Sequence, residues 1–163
     1  MDVFLQQLIN GLSLGGIYAL IALGYTMVYG IIELINFAHG DVYTLGTFFS
    51  LAILALLGVT GIVTGPMLIV VVAVTILGAM LLCGLTGVII ERLAYRRLRN
   101  APKLAPLITA IGMSFILENI MQYWRGPSPV PFPQVIPNPS FAIGAISIQT
   151  KQIMVILLAV VLM

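Results

Sequence analysis

Ile31–Thr47 reads IIELINFAHGDVYTLGT and lies between two long apolar runs. Within nine positions it carries Glu33, Asn36, His39 and Asp41. The whole chain has one histidine and five acids, so three of these six groups fall in this one stretch. Ionisable groups so close to bilayer depth are costly, and they mark function more often than accident. Gly40 and Asp41 also predict a break and restart of the helix. Asp41 is the expected N-cap of a helix beginning at Val42, because its side-chain oxygen can accept an orphan backbone N–H. The stretch therefore reads as a broken helix wedged between two spans.

Composition sets the class. Of 163 residues, 61% are hydrophobic and only 7% are charged, with a mean hydropathy of +1.16. A soluble domain carries about 25% charged residues, so too little polar surface is present to coat a water-exposed body. The expected fold is all-α: a polytopic transmembrane helix bundle forming one permease-like domain over residues 1–163. The net charge of +2 comes from one short basic cluster and not from a basic face, which argues against a nucleic-acid partner. Cys83, the single cysteine, lies in an apolar run, so neither a disulfide framework nor a thiolate metal site is expected. No secretory signal is expected in residues 1–10, which hold Asp2 but no Lys or Arg.

Outward from the polar stretch, the first apolar run covers residues 5–32. At 1.5 Å per residue it is about 42 Å long, more than the roughly 30 Å hydrocarbon core requires. Gly11, Gly15 and Ala19 fall four apart, a stripe on which another helix could pack closely. The second span is expected over residues 34–57, broken near 36–41. Its unbroken part, Val42–Leu57, reaches only about 24 Å. That shortfall places Asn36–Asp41 partly within the membrane, where irregular backbone is tolerated only against protein or a watery cavity.

Gly58–Gly65 is an uncharged turn, and Pro66 suits the first turn of a third span over residues 66–90. Thr75, Ala79, Cys83 and Gly87 repeat every four residues along it. Then come Arg92, Arg96, Arg97, Arg99 and Lys103, five of the seven basic residues. This basic anchor predicts a cytoplasmic loop over 91–105, and hence an external amino terminus. A fourth span over 106–124 ends in the interfacial anchor Tyr123-Trp124-Arg125. Six prolines between Pro127 and Pro139 exclude helix there. Phe141–Thr150 alternates loosely around Gly144, as a small hairpin would. A fifth span begins near Ile153 and stops at Met163, so the chain reads as a fragment cut inside a transmembrane helix.

Two constellations are candidates for a substrate path or hinge. The first is Asn36, His39, Gly40 and Asp41. Its plain reading is structural, with Asp41 capping a helix and Asn36 or His39 satisfying freed backbone. Its sharper reading is that the group lines or gates a path, as discontinuous helices do in many transporters. A metal site is not expected, since zinc needs several His or Cys ligands and only His39 is offered. The second is Ser114 and Glu118, which share a helix face with Gln122 at four-residue spacing. An interhelical hydrogen bond competes there with a path-lining role. The loop 91–103 reads first as an anchor on anionic lipid, and otherwise as a contact for a cytoplasmic partner. No Walker loop or catalytic triad is present, and GLSLGG at Gly11–Gly16 has no following lysine. The chain is therefore not expected to be an enzyme; if ATP drives it, another chain supplies the ATPase.

NGLSLGGIYALIALGYTMVYGIIELINFAHGD at Asn10–Asp41 closely resembles the opening of the branched-chain amino acid ABC transporter permeases. ERLAYRRLR at Glu91–Arg99 and PLITAIGMSFILENI at Pro106–Ile120 resemble the same family's next signatures, most of all its LivH type. The resemblance implies a subunit of a five-part importer in the bacterial inner membrane. Its implied partners are a second homologous permease, two cytoplasmic ATPase subunits that bind the ATP, and a periplasmic binding protein. It implies leucine, isoleucine, valine or related compounds as cargo, and no cofactor in this chain. The rival reading from the residues alone is an ion-coupled secondary transporter or channel using Glu33, His39, Asp41 and Glu118.

Overall fold

The computed structural model describes residues 2–33, 35–98, 101–102, 104–143 and 146–163. Five α-helices and one hairpin make up the described chain: α1 (Asp2–Ile32), α2 (His39–Leu56), α3 (Pro66–Ile90), α4 (Leu104–Arg125), β1 (Ser140–Ile143), β2 (Ile146–Gln149) and α5 (Thr150–Leu162). Four helical stretches, Val3–Gly30, His39–Leu56, Pro66–Leu98 and Leu104–Arg125, are long and apolar enough to cross a membrane. Large apolar side chains such as Leu12, Leu81, Phe115 and Val160 stand exposed along the helices. Water would penalise surfaces like these, whereas lipid tails solvate them. The architecture is that of an all-α polytopic membrane protein.

Each boundary has a local cause. At the end of α2, Gly58 adopts a left-handed φ of 68°, which costs glycine little because it has no Cβ. Its N–H donates to Ala55 O (3.1 Å) and the Val59 N–H to Leu54 O (2.9 Å). This paired closure satisfies two carbonyls that the helix end would leave orphaned. Val59 also packs on buried Leu54. Pro66 opens α3, where its missing N–H is no loss. Past Ile90 the helix loosens into a π-turn, Glu91–Tyr95, and then a 3-10 turn, Arg96–Leu98. The expected basic loop is thus partly helical, and the chain turns away only after Leu98.

The chain divides into two compact units, Met1–Met27 with Pro137–Met163, and Val28–Ile136. In the first, the β1–β2 hairpin pairs Phe141 with Ile148 and Ser140 with Gln149. Gln6 holds it from α1: its Nε2 donates to Ser147 O (3.0 Å) and its Oε1 accepts from the Ser147 N–H (2.8 Å). Gln152 at the start of α5 donates to Asn10 Oδ1 (2.8 Å). The small-residue contact on α1 is made by Gly16, where a Cβ would lie 3.3 Å from Ala159 Cβ. The expected stripe of Gly11 and Gly15 has nothing within 4 Å at either glycine. Four-residue spacing identifies a smooth face but not which neighbouring glycine the partner helix meets.

In the second unit α2 lies between α3 and α4. A Cβ on Gly46 would stand 3.1 Å from Cys83 Sγ, and one on Gly78 would stand 2.7 Å from Ile53 Cδ1. Residues later in α2 thus meet residues earlier in α3, so these two helices run antiparallel. On the other side Asp41 meets Ser114, while Phe48 and Phe49 meet Trp124. Both series rise together, so α2 and α4 run parallel. Two buried clusters fill the unit: Ala38, Leu45, Ile90, Leu117 and Met121 around the start of α2, and Leu54, Val71 and Val135 at its end.

Candidate functional site

The site begins where α1 stops. Glu33 takes a left-handed φ of 56°, which side chains other than glycine rarely adopt. Its N–H still donates to Tyr29 O (2.7 Å), closing the last turn of α1. Residues 35–38 are non-helical. Ala38 is fully buried and anchors the interruption in the bundle, while Glu33, Ile35 and Phe37 stay exposed.

Asn36 organises the restart. Its Oδ1 accepts the Ala38 N–H (3.1 Å), and its backbone carbonyl accepts the His39 N–H (3.1 Å). This is an Asx-type turn, in which a short amide side chain imitates a turn of backbone. The helix therefore starts at His39, two residues ahead of Asp41, and Gly40 is already helical. The expected Asp41 cap is thereby corrected. Asn36 serves the freed backbone, and the Asp41 carboxylate is turned sideways to accept a hydrogen bond from the Ser114 hydroxyl of α4. Asp41 can do this because it stands in the first turn of α2, on the side facing α4.

The second partner of Asn36 lies far off in sequence. Tyr95 Oη, in the π-turn after α3, donates to Asn36 Oδ1 at 2.7 Å. One carboxamide oxygen thus joins the helix restart to the basic segment. A π-turn is a rare local widening that recurs at functional sites. Here it falls between Glu91 and Tyr95, with Arg92, Arg96 and Arg97 exposed beside it. Arg99 and Lys103 lie outside the described residues.

Ser114 stands ten residues from Leu104 and eleven from Arg125, the two ends of α4. By helical rise, the Asp41–Ser114 bond is about 15 Å from either end. Glu118, one turn on, is exposed on this unit and accepts from Gln122 Nε2 (3.3 Å). The candidates are thus distributed as follows. Asn36, His39, Gly40 and Asp41 follow one another along the restart of α2, and Ser114 joins Asp41 from α4. Glu118, one turn beyond Ser114, is exposed and takes its hydrogen bond from Gln122 of the same helix. Tyr95 is the member that sequence reading missed. A tyrosine among arginines looks like an interfacial ring, and only a contact across 59 positions gives it a polar partner.

Residues 7–163 match the family described as branched-chain amino acid transport system, permease component. This chain belongs to that family. It is 48% identical over 141 residues to the high-affinity branched-chain amino acid transport system permease protein LivH of Escherichia coli (strain K12), covering 86% of this chain and 44% of that protein. To the LivH protein of Salmonella typhimurium it is 47% identical over 142 residues, 87% of this chain and 45% of the relative. To the high-affinity branched-chain amino acid transport system permease protein BraD of Pseudomonas aeruginosa it is 42% identical over 141 residues, 86% and 45% respectively. This permease chain spans a little under half the length of these curated relatives. No solved structure matches it significantly.

Proposed function

We propose that this chain is part of the membrane-spanning permease subunit of an ATP-driven importer for branched-chain or related amino acids. The interruption between α1 and α2 serves as its hinge and as part of the path wall. The partners are a second homologous permease, two cytoplasmic ATPase subunits that bind ATP, and a periplasmic binding protein. The site is the bacterial inner membrane. The named relatives support the cargo class, since each is described as a branched-chain amino acid permease.

One observation carries the hinge reading. The non-helical residues 35–38 and the helix start after them are held from two sides, by Tyr95 on Asn36 and by Ser114 on Asp41. A chain break clamped by two single hydrogen bonds can be re-set by movement of either clamp. Each bond contributes about 1 kcal/mol, enough to change a two-state balance about fivefold. Asn36 and Asp41 then act as hinge groups, His39 and Gly40 carry the restart between them, and Ser114 with Glu118 continues the polar edge on α4.

Orientation follows from charge. The basic segment belongs in the cytoplasm. The antiparallel α2–α3 and parallel α2–α4 directions fit a chain that crosses at each of these helices. Gln6 bonded to Ser147 supports placing the start of α1 on the same side as the hairpin, which would be external.

The test uses the full-length protein with its partner subunits in proteoliposomes. ATP-dependent leucine uptake is expected, with a several-fold fall for Tyr95→Phe and a larger one for Asn36→Ala, assembly being normal. Normal uptake by Asn36→Ala, His39→Ala and Asp41→Ala alike would remove the interruption from the mechanism. Uptake that collapses with an uncoupler and ignores ATP would install the ion-coupled rival instead.

A further inference from the structure

Pro66–Leu98 is one continuous helical stretch of 33 residues. Arg92 stands 26 residues after Pro66, about 39 Å along the helix by its rise. A bilayer measured through its headgroups is about 40–45 Å thick. With Pro66 at the opposite interface, Arg92 and Arg96 reach the headgroup layer and not the open cytoplasm. Both side chains are exposed.

Leu77, Leu81, Leu85, Val88 and Arg92 follow one another at spacings of three or four, so they form one ridge of α3. Arg96 continues it one turn further. The four apolar members are 60%, 74%, 58% and 48% exposed. α2 packs on the other side of the helix, at Gly78 and Cys83. From Leu77 to Val88 the ridge is about 16 Å long, close to the hydrocarbon depth of a single leaflet, which is about half of 30 Å. An apolar track one leaflet deep thus ends at a pair of cations. Helix contacts inside membranes favour small residues that let backbones approach, and this ridge is bulky throughout.

We propose that this ridge binds an anionic phospholipid, with an acyl chain along Leu77, Leu81, Leu85 and Val88 and the phosphate on Arg92 and Arg96. Assigning it to the cytoplasmic leaflet rests on the permease reading above; the contact itself does not. A phospholipid matches the whole ridge: hydrocarbon for one leaflet's depth, then an anion for the guanidiniums, whose donors suit phosphate oxygens. A cytoplasmic subunit would meet the arginines and leave the leucines beneath them uncovered. Two cations at headgroup height select a lipid with net negative charge over a zwitterionic one.

The experiment is photolabelling of the full-length transporter in phosphatidylcholine vesicles. The probe is a trace lipid with a diazirine in its acyl chain, either phosphatidylglycerol or phosphatidylcholine, and labelled peptides are mapped by mass spectrometry. Phosphatidylglycerol should label residues 77–88 at least fivefold more than phosphatidylcholine does. Arg92→Gln with Arg96→Gln should bring the two probes within twofold there and leave labelling of α1 unchanged. Arg92→Lys with Arg96→Lys keeps both charges and should keep at least half of the preference. Raising salt to about 1 M around the native protein, where exposed charges are screened beyond about 3 Å, should cut the preference at least twofold; this arm needs no variant to fold. A native preference below fivefold overturns the proposal, and so does one that survives the Gln pair or ignores salt. No label at 77–88 from either probe shows that another helix covers the ridge, and overturns it too. Labelling needs no transport. ATP-driven leucine uptake by the same vesicles therefore keeps the permease reading standing if the lipid contact fails, and its absence removes that reading while a phosphatidylglycerol preference upholds the contact.

Discussion

Replacing Ser114 by Ala isolates the bond at the middle of α4. In the native chain the hydroxyl donates to the Asp41 carboxylate across the α2–α4 contact, with both residues half-buried. The alanine leaves a carboxyl group facing apolar helix about 15 Å from either end of α4, where water is a poor substitute. An acceptor left unsatisfied in a protein interior costs about 1–3 kcal/mol. Interhelical polar bonds measured inside membranes average about 0.6 and reach about 1.7 kcal/mol. The expected loss is therefore about 1–2 kcal/mol. The converse change is gentler. In Asp41→Ala the serine hydroxyl can turn back to the carbonyl four residues earlier in its own helix, and no orphan remains. The two single variants should thus be unequal, with Ser114→Ala the more damaging, and the double variant should resemble Asp41→Ala alone. The assay is a double-mutant cycle on the full-length permease, unfolded with increasing sodium dodecyl sulfate in mixed micelles. A coupling of about 1 kcal/mol supports the bond. Additivity within about 0.3 kcal/mol, the behaviour of sites that do not interact, would refute the reasoning.

Two further substitutions address the packing that carries the site. Gly46→Val drives methyl groups into Cys83 Sγ, which a single Cβ would already approach to 3.1 Å. Overpacking of this kind costs about 1–3 kcal/mol, and Cys83→Ala in the same chain should restore at least half of the lost thermal stability in detergent. Gln6→Ala removes both hydrogen bonds to Ser147; limited proteolysis within 140–149 should quicken several-fold, and an unchanged rate would show that the hairpin is held by other contacts.

Several parts of the fold were legible because their causes are local. A 7% share of charged residues leaves the helices no solvent but lipid. Pro66 starts a helix, Gly58 ends one, and six prolines keep 127–139 free of helix, each through its own backbone geometry. The alternation around Gly144 marks the hairpin, because residues on strands alternate faces whatever surrounds them.

Partnership was not legible in the same way. Sequence alone establishes that polar groups gather at Glu33–Asp41 and that the helix is interrupted near them. It offers Asp41 as the cap because aspartate before an apolar run is a good one. The tertiary structure gives that work to Asn36, because Tyr95 arrives to share its oxygen and Ser114 arrives to occupy Asp41. The helix face of α1 that packs, at Gly16 and not at Gly11 or Gly15, was settled the same way. Local chemistry lists the bonds a residue is able to make. Which of them forms depends on groups 59 and 73 positions away, and only folding of the whole bundle brings those within reach.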